Sequence, residues 1–78
     1  MLDQSQLLAE YQQQLQMARD EARAMFRDAI STANDRISRE DFDGARQIVA
    51  GAIARLDKDS RLFSADDYEK RRLEASAL

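Results

Sequence analysis

The sequence predicts an all-α protein in which a long N-terminal helix precedes two shorter ones, folded as a helical hairpin or three-helix bundle and paired in a homodimer. The chain has no proline and only two glycines, and good helix formers such as alanine, leucine, glutamine, glutamate and arginine dominate it. Apolar residues recur at helical spacing along three segments. The 78 residues contain no cysteine and are predicted to form one domain, 1–78, small enough for oligomerisation to be a common source of stability.

The first helix is predicted over about residues 4–37, and it carries two apolar stripes. The first stripe, called the seam below, alternates in steps of three and four as in a coiled coil and consists of Leu8, Tyr11, Leu15, Ala18, Ala22, Met25 and Ala29. The second stripe lies one residue out of register and consists of Phe26, Ile30, Ala33 and Ile37. The change of register predicts that the helix changes its packing partner there.

Helix two is predicted over about residues 41–57 and helix three over about residues 65–75. Residues 38–41 resemble a capping box, which indicates a new helix start, and Ser64 followed by two aspartates is typical of the start of helix three. The apolar face of helix two consists of Phe42, Ala45, Ile48, Val49, Ala52, Ile53 and Leu56. Residues 57–60 are predicted to form a polar turn.

Helix one is too long to be covered by helix two. At about 1.5 Å per residue, helix one spans on the order of 50 Å and helix two roughly 24 Å. The half of helix one from Leu7 to Ala18, whose only carboxylate or base is Glu10, therefore needs helix three, a second copy or a foreign protein to cover it. The sequence predicts a partner or dimer interface at Leu7, Leu8, Tyr11, Leu15, Ala18 and Ala22.

The two glycines lie seven residues apart on one face of helix two. Glycine inside a helix costs roughly 1 kcal/mol relative to alanine. We therefore expect Gly44 and Gly51 to be helical residues that allow close packing against the alanines Ala18, Ala22, Ala29 and Ala33 of helix one.

Residue types exclude several kinds of catalytic and metal site. The absence of cysteine and histidine removes thiol nucleophiles, imidazole bases and the commonest metal ligands. The acidic pair at Asp57 and Asp59 does not begin a calcium loop, because Arg61 and Leu62 stand where an oxygen ligand and a glycine are needed. We expect no enzyme, no metal and no cofactor.

A basic ridge at Arg19, Arg23 and Arg27 is the main alternative binding feature. The three arginines recur every four residues and could meet phosphates or an acidic protein. The net charge of −3 and the neighbouring acids Asp20, Glu21 and Asp28 weigh against nucleic acid. No basic segment with an apolar run follows Met1, and no stretch is apolar enough to span a membrane, so we expect a cytoplasmic protein.

Two families offer partial resemblances. The small residues Ala33, Ala45, Val49 and Ala52 resemble the spacing of one tetratricopeptide repeat, a two-helix unit that binds peptides, although Thr32, Arg36 and Asp57 depart from it. The run from Met25 and Phe26 through residues 41–43 to Ala45 and residues 56–57 is similar to the C-terminal three-helix client-binding domain of the J-type co-chaperones of iron-sulfur assembly. The J-domain and its His-Pro-Asp motif are missing, so that resemblance implies a helical fold without the family's activity.

The sequence therefore favours a small non-catalytic protein-protein interaction module that acts as a regulator, inhibitor or assembly adaptor of another protein. One alternative is a nucleic-acid-associated accessory protein that uses the arginine ridge. Another is a chaperone-like or virion assembly component.

Overall fold

The computed structural model describes residues 3–78, which form three α-helices, a 3-10 helix and no strand. The helices are α1 (Gln4–Ser38), α2 (Phe42–Lys58) and α3 (Ala65–Ser76), with the 3-10 helix at Ser60–Leu62. The prediction of an all-α chain with a long first helix and two shorter ones is confirmed. Met1 and Leu2, which begin the segment considered for a secretion signal, lie outside the described residues.

A tight turn reverses the chain after α1. The Asp41 amide donates to the Arg36 carbonyl at 2.8 Å, and the Glu40 amide donates to the Ile37 carbonyl at 3.0 Å. This pair of bonds is a Schellman motif, which requires a left-handed residue, and Glu40 takes that position with φ at 62°. A non-glycine residue there is strained, because its Cβ approaches the following carbonyl oxygen.

The caps of the two shorter helices differ in how well the sequence predicted them. The N-cap of α2 is Asp41, whose carboxylate accepts from the Gly44 amide at 3.0 Å. The predicted capping role of Ser38 is wrong, because its hydroxyl donates to the Asp35 carbonyl at the end of α1. The Ser64 cap of α3 is confirmed, since its hydroxyl accepts from the Asp67 amide at 3.2 Å.

The core is thin and lies between the C-terminal half of α1 and the other helices. Its buried apolar residues are Phe26, Ile30, Ala33, Ala45, Ala52, Leu56, Phe63 and Ala75. The second stripe of α1 supplies the first three of these, as its change of register predicted. Phe42 departs from the predicted apolar face of α2, because its side chain is 57% exposed.

α3 packs mainly on α2 and reaches the middle of α1 through side chains. The Arg23 guanidinium pairs with the Asp67 carboxylate at 3.3 Å, and the guanidinium of Arg71 lies 5.6 Å from the ring centre of Phe26. Ala75, near the end of α3, is almost completely buried. Helix three was one candidate to cover the N-terminal half of α1, but within residues 3–78 it lies over the part of α1 that α2 also covers.

The glycines of α2 do not pack as the sequence predicted. A Cβ built on Gly51 would meet no heavy atom within 4 Å among the described residues, so close packing at this position is wrong. A Cβ on Gly44 would collide with the Asp41 carboxylate, which is the N-cap, and not with α1. Ala33 of α1 and Ala45 and Ala52 of α2 are buried, so alanines provide small side chains in the core between the helices.

Candidate interaction surface

The N-terminal third of α1 projects beyond the rest of the fold. Residues 4–14, called the overhang below, are helical and exposed throughout. The apolar side chains of Leu7, Leu8 and Tyr11 are 49%, 62% and 63% exposed respectively. The described residues extend over 58 × 20 × 14 Å, so the protein is a rod with an apolar stripe at one end.

The seam continues from the overhang into a groove between α1 and α2. Leu15, Ala18 and Ala22 are half-buried, whereas Leu7, Leu8 and Tyr11 are exposed. All six predicted interface residues lie on one face of α1. Further along, Ala22, Met25 and Ala29 line one wall of this groove, while Ile48 and Gly51 line the other. We call it the α1/α2 groove. It holds about 510 Å³, and its floor includes Phe26 and Leu56 of the core.

The seam and the groove form one continuous apolar track, about 32 Å long over the 22 residues of α1 from Leu8 to Ala29. Its charge is low at the overhang, where Glu10 is the only carboxylate or base, and Glu10 lies off the seam. At the other end Arg55, Lys58 and Asp59 border the groove. A track that is apolar at its centre and polar at its border has the composition of a protein-protein interface.

The accessible area of the chain is large for its mass. A compact folded monomer of 8.9 kDa is expected to expose about 4,800 Å². This chain exposes 6102 Å², an excess of roughly 1,300 Å². Standard interfaces bury about 800 Å² on each partner, so the excess is enough for one such interface.

The predicted basic ridge is largely engaged inside the molecule. The Arg19 guanidinium donates through Nε to the Leu62 carbonyl at 2.6 Å, and Arg23 pairs with Asp67 at 3.3 Å. Arg27 is exposed beside them. These bonds join α1 to the 3-10 helix and to α3, so two of the three arginines have a structural function. The use of the ridge toward nucleic acid stays a prediction.

A polar cluster joins α2 to α3. The Asp57 carboxylate accepts hydrogen bonds from the Tyr68 hydroxyl and, at 2.9 Å, from Arg72. The hydrogen bond from Tyr68 is the main cause that lowers the pKa of Asp57 below its usual value, and Arg72 lowers it further against the opposing effect of desolvation. The cluster is exposed, and it holds together the ends of two helices.

The chain matches no protein-family model, and comparisons with curated proteins and with solved structures find no match either. No match supports the tetratricopeptide resemblance or the co-chaperone resemblance. Among residues 3–78, no helix is both long enough and apolar enough to cross a membrane.

Sequence reasoning found the α1 side of this surface and missed the α2 side. The heptad spacing was sufficient to select Leu8, Tyr11 and Leu15. The sequence predicts intramolecular packing for both Ile48 and Gly51, because Ile48 belongs to the apolar face of helix two and a glycine within a helix indicates a close neighbour. The sequence of α2 contains one signal of this. Gly51 is one residue from Ala52 of the predicted apolar stripe, so it lies about 100° around the helix from that stripe.

Proposed function

We propose that this protein is a non-catalytic protein-protein interaction module that acts as a regulator, inhibitor or assembly adaptor. The overhang is its binding element. The observation that carries this proposal is the exposure of three large apolar residues of the overhang. Leu7, Leu8 and Tyr11 are roughly half to two-thirds exposed, and no other part of residues 3–78 covers them. Contiguous apolar patches on soluble proteins mark interaction sites.

The energetics of the overhang support the same proposal. The overhang extends a helix that is already nucleated by the packed part of α1, so its own stability depends on propagation and on packing, and most helix stability in proteins comes from packing one face. The overhang has 11 helical residues and no such packing within the described chain. A partner that covers the seam would supply it. The low charge at this end also lowers the cost of removing the surface from water.

The proposal extends to self-association, because a homodimer places the seam of one copy against another apolar track. The nucleic-acid alternative has less support, since Arg19 and Arg23 are held by intramolecular bonds. The lack of cysteine and histidine supports a function without catalysis. Action in the cytoplasm is part of the proposal.

The test is a pair of charge substitutions within the overhang. Tyr11→Glu places a carboxylate on the seam, whereas Gln13→Glu adds the same charge on the opposite face of the same helix. Tagged wild-type protein and both variants are used to capture proteins from the native host, with quantitative mass spectrometry. We expect wild type and Gln13→Glu to retain the same proteins and Tyr11→Glu to lose them.

Equal capture by all three proteins would contradict the proposal. Salt dependence separates the nucleic-acid alternative, because phosphate binding weakens steeply with salt while an apolar contact does not. Retention on DNA that Arg27→Gln abolishes and Tyr11→Glu leaves unchanged would favour the arginine ridge instead.

A further inference from the structure

We propose that the overhang of one copy docks antiparallel in the α1/α2 groove of a second copy. The proposal rests on the interaction function argued above and names its partner and geometry. In this arrangement Leu8, Tyr11 and Leu15 lie opposite Met25, Ala22 and Ala18 of the second copy. The contact is reciprocal, because the same three pairs form again on the other side of a two-fold axis.

The register follows from the sizes of the seam residues. The N-terminal half of the seam holds the large side chains Leu8, Tyr11 and Leu15, whereas the C-terminal half holds the alanines Ala18, Ala22 and Ala29, with Met25 among them. An antiparallel pairing centred between Leu15 and Ala18 places Tyr11 and Leu15 against the alanines Ala22 and Ala18, while Leu8 meets the flexible side chain of Met25. This alternation fills the space between two helices at the density of a protein interior.

A parallel pairing in register lacks this complementarity. It would place Tyr11 against Tyr11 and Leu15 against Leu15, while Ala22 and Ala29 would face their own counterparts. Two helices cannot lie close at the alanines and far apart at the tyrosines without leaving voids, and voids forfeit dispersion contacts.

The groove has the shape that an additional helix needs. Gly51 leaves its α2 wall open, and a side chain at this position would meet nothing within 4 Å of its Cβ in the described chain. Met25 is 43% exposed on the other wall, so an apolar occupant removes it from water. The roughly 1,300 Å² of excess accessible area is sufficient for the 800 Å² or so that each copy of a standard dimer buries.

The charges along the flanks agree with this register. Antiparallel pairing places Gln14 of the overhang beside Glu21 of the second copy, so a neutral amide meets a carboxylate and no like charges face each other. Glu10 lies off the seam and stays in water. The glutamine-rich, charge-poor composition of the overhang is thereby accounted for, since its flanks meet charged residues of the second copy.

Cysteine cross-linking tests the orientation directly, because the chain has no cysteine of its own. Leu8→Cys and Met25→Cys proteins are mixed at high micromolar concentration and oxidised under reversible conditions, and the products are identified by intact mass. We expect the mixed disulfide dimer to dominate. Two copies of Leu8 would lie about 26 Å apart, too far for a disulfide, so Leu8→Cys alone should not link to itself.

The control is Gln6→Cys mixed with Met25→Cys, because Gln6 lies on the face of the overhang opposite the seam. Self-linking of Leu8→Cys in place of the mixed product would overturn the antiparallel arrangement and leave a parallel dimer. A monomer mass for wild type in sedimentation equilibrium at the same concentration would overturn docking on a second copy altogether. Either result leaves the interaction function to be decided by the Tyr11→Glu capture experiment.

A second variant tests the groove without threatening the fold. Gly51→Leu fills the groove, and leucine is a better helix former than glycine, so the monomer should remain folded. We expect overpacking to weaken self-association at least about tenfold. Ala50→Leu is the matched control, since Ala50 is exposed and does not line the groove. Association of Gly51→Leu with wild-type affinity would exclude the groove as the docking site.

Discussion

Substituting Gly51 by alanine should stabilise the fold, which is the opposite of what close packing at this position would require. Gly51 lies inside α2, nine residues after its first residue, and an added Cβ would meet open space. The gain is therefore the helix propensity difference of about 1 kcal/mol. For a domain of this size that corresponds to a rise in Tm of roughly 4–8 °C.

The measurement is thermal and urea unfolding followed by circular dichroism, at concentrations low enough that the protein is monomeric. Two control substitutions in α2 separate the effect of helix propensity from the effect of packing. Ala50→Gly, on the exposed face of the same helix, should lower the stability by a similar amount. Gly44→Ala should change it little, because displacing the Asp41 cap costs about as much as the propensity gains.

A fall in Tm for Gly51→Ala would refute this reasoning. It would mean that a neighbour occupies the space beside Gly51 in the monomer, so that the α1/α2 groove is closed. The docking geometry inferred from the groove would then be untenable. A rise in Tm that is larger for Gly44→Ala than for Gly51→Ala would instead show that the Asp41 cap contributes little.

Three further predictions concern the turn, the core and the polar cluster. Glu40→Gly should stabilise the protein by up to about 1 kcal/mol in urea unfolding, because glycine adopts the left-handed conformation at residue 40 without strain. Leu56→Ala should destabilise it by about 2–5 kcal/mol through the cavity left in the core, whereas Leu8→Ala should change the monomer by less than about 0.5 kcal/mol in the same assay. The lowered pKa of Asp57 should give a stabilising contribution that is present above its unfolded value of 3.8 and is lost as the pH falls through the folded pKa. Asp57→Asn should remove this acid dependence from unfolding curves measured across that range.

The helices themselves were predictable because their signals are local. Periodicity located the seam and the second stripe of α1, and Ser64 with its two aspartates located the start of α3. Phe63 was missed as a core residue, because it stands alone between the 3-10 helix and α3 and belongs to no periodic pattern.

Features that depend on the relative placement of helices could not be read from the sequence. Gly51 illustrates this, since a glycine in a helix signals either a close neighbour or an open space, and only the position of α1 decides between them. The turn shows a different failure. Glycine usually occupies the left-handed position after a helix, but Glu40 takes it here, so the sequence gives no signal for the C-terminus of α1. The sequence pattern therefore favours Ser38 as the N-cap of α2, whereas the structure has Asp41.

The elongated shape of the molecule determines how its mass in solution has to be measured. A rod 58 Å long and 20 × 14 Å in cross-section experiences more friction than a sphere of equal mass, so the monomer should elute early in gel filtration and resemble a larger globular protein. Side-by-side antiparallel association about the point between Leu15 and Ala18 would double the mass and lengthen the particle to roughly 75 Å, because that point lies about 20 Å from the overhang end of the 58 Å rod. Monomer and dimer would both be elongated, so elution volume depends on shape as well as mass. Light scattering, which reports mass independently of shape, therefore separates the two species where retention time does not.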